Sequence, residues 1–182
     1  ERNIMKNYIV TIAREYGSGG RECGKKLAEL TGYKFYDKDL ITLAAQKSGM
    51  STDALNSVDE KAASSLLYTL ALGSSIYNSG MGSVNLPIND KLFVVQSQII
   101  KDIANSGEGA IIVGRCADYV LSERDNVVKI YITSDFDTRV NTVMKRHDLT
   151  QSQARDLIIK TDKRRSNYYS YYTGEKWGKA DK

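Results

Sequence analysis

Short apolar runs of strand character alternate along the chain with longer stretches whose apolar residues recur every three or four positions. Ile9, Val10, Ile12 and Ala13 make the first run; residues 33–36, 110–113 and 127–132 make three more. The first run, mostly β-branched and without polar alternation, reads as a strand buried in a parallel sheet, and the other three read as further strands. The intervening patterns are helical. Residues 23–30 put Leu27 and Leu30 inward and stop at Gly32, a residue suited to a helix C-cap. Residues 38–47 follow Asp37, which is either their N-cap or a ligand contact. Residues 51–72 carry a thin stripe of Leu55, Val58, Ala62, Leu66 and Leu70. The strongest stripe, over 89–105, joins Leu92, Phe93, Gln96, Ile99, Ile100 and Ile103, with Asn89 as cap and Gly107 as stop. Thr133 or Ser134 is expected to cap a helix reaching about His147. Thr150-Gln151-Ser152-Gln153 has the form of a capping box that opens a last helix through Thr161. Strands alternating with helices predict an α/β fold with a parallel, doubly covered sheet.

Length and composition narrow this picture. The 182 residues, 41% of them hydrophobic and only one a proline, suit a single α/β domain with a real core and exclude a disordered chain. No apolar run approaches the roughly 20 residues needed to cross a membrane. Two cysteines, Cys23 and Cys116, are too few for a disulfide framework or a four-ligand zinc site. With no signal peptide opening the chain, they point to a reducing, cytoplasmic setting. Net charge is only +4, but the segment from Arg139 to Arg165 holds eight basic residues against three acidic ones, which places an anionic partner near it. Residues 73–87, with three glycines and four serines, read as a mobile loop.

The chemistry starts where the first strand ends. Gly17, Gly19 and Gly20 are free to take positive φ, so consecutive N–H groups can face one concavity at the start of the next helix. Unpaired N–H groups and the positive end of the helix dipole favour phosphate there, and Arg14 and Arg21 flank the loop with fixed charge. The loop departs from the Gly-x-x-x-x-Gly-Lys-Ser/Thr pattern. Gly17-Ser18-Gly19 is followed by Gly20-Arg21-Glu22, without the lysine or the hydroxyl, and Arg21 is the candidate substitute for the lysine. At the end of the third strand Gly114-Arg115 projects where ligands bind in open α/β sheets.

Other chemistries find less support. His147 is the single histidine, sits in the last turn of its helix, and suits a capping or solvent role. With no Gly-x-Ser-x-Gly elbow, serine- or cysteine-hydrolase chemistry is disfavoured. Tyr168, Tyr169, Tyr171 and Tyr172 beside Lys163, Arg164 and Arg165 could stack bases of single-stranded nucleic acid or pack a lid against the body. Nucleic acid is the weaker reading, because the same basic residues suit a triphosphate.

Four motifs together resemble the cytidylate kinase-like proteins, relatives of the P-loop nucleoside monophosphate kinases. They are Ala-Arg-Glu-Tyr-Gly-Ser-Gly-Gly-Arg-Glu from Ala13, Phe-Tyr-Asp-Lys from Phe35, Ile-Ile-Val-Gly-Arg-Cys-Ala-Asp-Tyr from Ile111, and Asp-Lys-Arg-Arg from Asp162 with the later Tyr-Tyr and Trp-Gly. The resemblance runs from Tyr8 to Gly178. It implies a three-layer α/β/α P-loop kinase-like fold over 1–182, with a helical acceptor-side insertion at 51–87 and a lid at 148–175. It also implies ATP and Mg²⁺ as donor and cofactor, and a nucleoside monophosphate, CMP or dCMP, as acceptor. By that match Gly17, Ser18, Gly19 and Gly20 lie on the donor phosphates with Arg14, Arg21 and Glu22. Tyr36, Asp37 and Asp118 border the acceptor, Arg115 grips its phosphate, and Arg139 and Asp162 belong to the lid region. Arg21, Arg115, Arg164 and Arg165 become the candidate catalytic clamps, and Glu22 and Asp118 the candidate Mg²⁺ ligands. Gly20 stands at the family's lysine, Glu22 at its metal-binding hydroxyl, and Val113 and Cys116 at two aspartates around Gly-Arg. The family's last strand and helix have no counterpart before Lys182, so a longer chain is expected. A degenerate loop also fits a non-catalytic nucleotide sensor.

Overall fold

The computed structural model of the protein describes residues 7–37 and 88–178. The helices expected at 38–47 and 51–72, the loop at 73–87 and hence the 51–87 insertion lie outside the described residues.

The four expected strands form within a residue or so of their apolar runs: β1 (Ile9–Arg14), β2 (Lys34–Tyr36), β3 (Ala110–Val113) and β4 (Val127–Ile132). They make one parallel sheet in the order β2-β3-β1-β4. The connection out of β1 goes to one side, towards β2, whereas the one out of β3 crosses to β4 on the other. A crevice therefore opens at the carboxyl ends of β1 and β3, the place where open parallel sheets bind ligands. Ile9 lies opposite both Ala110 and Val127, so β1 and β3 finish side by side at Arg14 and Gly114.

Side-chain alternation along β1 divides the core in two. Val10 and Ile12 join Ile111 and Val113 under α1 (Gly20–Thr31), which contributes Leu27 and Ala28. Ile9 joins Ala110 and Ile112 under α2 (Ile88–Asn105), which contributes Leu92, Ile99, Ile100 and Ala104. The short α3 (Ala117–Val120) seals the second layer with Ala117 and Leu121. Ile100, Ile111 and Ile112 lose all contact with water, each worth about 1.5–3 kcal/mol. The result is a three-layer α/β/α sandwich. A third cluster, Val140, Val143, Ala154 and Ile158, joins α4 (Phe136–His147) to α5 (Gln151–Thr173).

Local details depart from the pattern. Leu30 is 74% exposed, because the stripe of α1 runs through Gly20, Gly24, Leu27 and Ala28 and leaves position 30 on the far side. Asp135, not Thr133 or Ser134, caps α4, accepting from the Thr138 N–H; that hydrogen bonding holds its carboxyl below the usual range. Thr133 Oγ1 instead donates to Glu15 at 2.6 Å. The capping box at Thr150 and Gln153 forms as read, but α5 continues past Thr161 to Thr173 and stops at Gly174. Gln96 on α2 is buried, with both amide atoms lacking a partner among the described residues.

Candidate functional site

Beyond β1 the chain reverses on glycine. Gly17 and Gly19 both hold φ of 82°, whereas Gly20 is already the first residue of α1 and not a third left-handed position. The Ser18 hydroxyl lies 2.9 Å from the Glu15 carbonyl and 3.1 Å from that of Ile132, tying the loop to the end of β4. Arg139 braces it from behind. This buried arginine pairs with Asp162 at 2.6 Å, lies 3.6 Å from Glu15 and donates to the Tyr16 carbonyl at 3.3 Å. Asp162 in turn accepts from the Tyr16 N–H at 2.8 Å. Arg139 and Asp162 thus clasp α4 and α5 to the loop.

Beyond β3 the reversal is of another kind. Gly114, Arg115 and Cys116 take φ of 77°, 60° and 54° in succession, and the Ala117 N–H closes the turn on the Gly114 carbonyl at 3.2 Å. Left-handed backbone costs a non-glycine residue about 1–2 kcal/mol, so two residues here hold strain that the neighbouring packing must sustain. Cys116 is buried; desolvation, helped by the Asp118 charge, pushes its thiol up to about 12, which leaves it unreactive.

Between the two reversals lies a cavity of about 240 Å³. Arg14, Arg115, Arg164 and Arg165 line it together with Tyr16, Tyr168, Tyr169 and Trp177, and Asp118 is the acidic residue among its lining. Helix α5 forms the outer wall. Arg165 donates to the Arg14 carbonyl at 3.0 Å and sits 5.3 Å above the Tyr16 ring. Burial lowers its pKa and Asp162 opposes that shift, so an arginine stays cationic here. The Tyr169 hydroxyl donates to Asp118 at 2.8 Å; burial first, and then this bond, raise its pKa and keep it a donor. One turn on, Tyr172 stacks on Phe93 at 4.1 Å and donates to Asp90 at 3.0 Å, fastening the end of α5 to α2.

Of the residues singled out in the sequence, Arg14, Arg115, Asp118, Arg164 and Arg165 meet in this cavity. Tyr168 and Tyr169 of the aromatic cluster join them, and the remaining candidates do not line it. Arg21 turns away to pair with Asp37 at the end of β2. Glu22 accepts from Arg146 at 2.7 Å, and Tyr36 packs against the α2 core. Tyr16, Cys116 and Trp177 complete the wall without having been read as site residues. Tyr16 directly precedes the glycines, which was a usable signal, and Trp177 stands in the Trp-Gly pair of the fourth motif. Among the described residues no three His, Cys, Asp or Glu side chains gather to hold a metal ion, and no helix is long and apolar enough to cross a membrane.

The sequence model of the cytidylate kinase-like family matches residues 9–182. The chain belongs to this family. Among solved structures, it resembles an uncharacterized protein from Eubacterium ventriosum with a TM-score of 0.66 and 29% identity, over 94% of this chain and 81% of that one. A fainter likeness, TM-score 0.44 and 14% identity over 85% of this chain and 80% of that one, links it to TT1252 from Thermus thermophilus. No curated protein matches it. Membership of the cytidylate kinase-like family fits a nucleotide kinase, and the cavity between β1 and β3 is the region in which to look for its chemistry.

Proposed function

We propose that the protein transfers the γ-phosphoryl group of ATP to a nucleoside monophosphate, with CMP and dCMP the first acceptors to test. The observation that supports this is the convergence of Arg14, Arg115, Arg164 and Arg165 on one cavity beside the glycine loop. Phosphoryl transfer asks little covalent chemistry of a protein; it needs charge neutralised and the attacking and leaving oxygens held in line. Guanidinium groups do both through forked hydrogen bonds to phosphate oxygens. In this reading Arg115 and Arg164 orient the phosphates, and Tyr168, Tyr169 and Trp177 offer stacking faces and exclude water.

Among the described residues Glu22 is paired with Arg146 and Asp118 accepts from Tyr169, so in this reading ATP enters as its magnesium complex and these residues contribute chiefly through arginine. A cavity of about 240 Å³ is smaller than the roughly 300–1,000 Å³ of ordinary ligand sites, so it must widen to hold donor and acceptor together. Movement of α5 would provide that, in keeping with a lid at 148–175. The test is a coupled assay of Mg·ATP against all common nucleoside monophosphates. Turnover that drops at least tenfold in Arg115→Ala is expected; no turnover with any acceptor overturns the proposal.

The engagement of both Glu22 and Asp118 favours a second reading, a sensor that binds the nucleotide without transferring phosphate. Calorimetric binding of ATP in the absence of any turnover would select it.

A further inference from the structure

The loop after β1 has no side chain at position 20, and its two flanking arginines go different ways. Arg21 is held by Asp37 at the end of β2, whereas Arg14 lines the cavity. A Cβ placed on Gly20 would come within 2.5 Å of the Arg14 Cβ and 2.9 Å of its Cγ, so the stem of Arg14 fills the space where a residue-20 side chain would begin. At the far end of the same side chain, Arg14 Nη1 rests where a Cβ on Gly114 would stand. Two bare glycines, one at the start of α1 and one after β3, thus make a channel for a single arginine. Its backbone is fixed as well, because the Arg14 carbonyl accepts from Arg165.

We infer that Arg14 delivers, across Gly20, the positive charge that the loop itself lacks, and that it is a phosphate-binding residue for the polyphosphate chain of the donor. This rests on the nucleotide-phosphate reading above. The guanidinium enters from the end of β1 instead of from the first turn of α1, and reaches the gap between the two strand ends. Its planar fork can hold two phosphate oxygens at once, which a lysine cannot. Positions 14 and 20 are mutually exclusive: any side chain at 20 must displace the stem at 14. Arg115 and Arg164 approach the same ligand from other elements, so three sides of a polyphosphate would be neutralised.

The experiment is isothermal titration calorimetry of the full chain with inorganic pyrophosphate and with ATP, each variant checked by thermal melting. Arg14→Met keeps the stem over Gly20 but removes the charge, and should weaken pyrophosphate roughly tenfold to hundredfold while melting close to wild type. Arg14→Lys should retain an intermediate affinity. Gly20→Ala should weaken binding as Arg14→Met does, yet cost nothing further when combined with Arg14→Gly, which removes both the Cβ and the stem that a residue-20 side chain would meet. Wild-type affinity in Arg14→Met, or an equal loss from Gly20→Ala in both backgrounds, overturns the inference alone. A wild-type protein that binds neither pyrophosphate nor ATP overturns the inference and the phosphate-site reading together.

Discussion

After β1 the chain turns on Gly17 and Gly19, residues that reach positive φ at little cost, and side-chain bonds pin the result: the loop's own Ser18 to the end of β4, and Arg139 and Asp162 from α4 and α5 around Tyr16. After β3, on the adjacent strand, Arg115 and Cys116 occupy the same left-handed region although neither is glycine. The first reversal is relaxed in its backbone and depends on buried charge behind it. The second carries strain in its backbone and has its arginine in the cavity. A structural turn needs no arginine at positive φ. Strain retained at Arg115 points to a side chain whose placement matters more than the stability it costs.

The comparison can be broken at either end. The largest expected effect is Arg139→Ala, which leaves the half-buried Asp162 without its cation; a loss of about 3 kcal/mol in urea unfolding is expected. A loss near zero would mean the clasp does not brace the loop. Gly17→Ala comes next. Its Cβ would stand 3.0 Å from the Arg139 carbonyl and from Val143 Cγ2, at a φ of 82°, so about 2 kcal/mol should be lost from strain plus crowding. Arg115→Gly should move the other way, gaining about 1 kcal/mol from released strain, while any phosphoryl transfer drops at least tenfold. A variant that is both less stable and fully active would remove the functional meaning of the strained turn.

The smallest effect concerns the two thiols. Cys116 is sealed inside the strained turn and Cys23 is exposed on α1. The Cys116 pKa is raised from 9.0 to about 12, so its contribution is fully present below pH 9 and is lost as pH rises from 9 towards 12. The expected decrement from Cys116 alone is about 0.4 kcal/mol at pH 9. Tyr131, raised from 10.0 to about 12, adds to the decline at higher pH. Denaturation curves at pH 7, 9 and 10 should show this trend. A thiol reagent at pH 8 should label Cys23 and spare Cys116; rapid labelling of both would show the turn to be open.

The local apolar order of the strands was legible in the sequence, although the same kind of reading placed Leu30 inward where α1 leaves it exposed. The four runs became the four strands, and Arg115 stands at the carboxyl end of β3 because the run 110–113 ends in glycine. Pairings between distant charges were not legible. Arg21 and Arg14 flank the glycines alike in the sequence, and only the proximity of Asp37 draws one away from the cavity. Likewise Arg139 and Asp162, 23 residues apart, read only as members of a lid region, and the packing of α4 on α5 brings them to 2.6 Å. The length of α5 was missed because its second half carries tyrosines instead of an aliphatic stripe. Those rings find partners in Phe93 on α2 and Asp118 in α3.

That continuous helix has a mechanical consequence. At 23 residues, α5 is a rod of about 34 Å, capped at Thr150 and seated on α4 through Ala154 and Ile158. Arg164 and Arg165 cannot close over a ligand independently, as residues on a loop would. They are carried on one rigid element, which Ala154 and Ile158 seat at one end and Tyr169 and Tyr172 fasten to Asp118 and Asp90 at the other. Two hydrogen bonds and an aromatic stack at the far end of the rod therefore help to hold its middle beside the cavity.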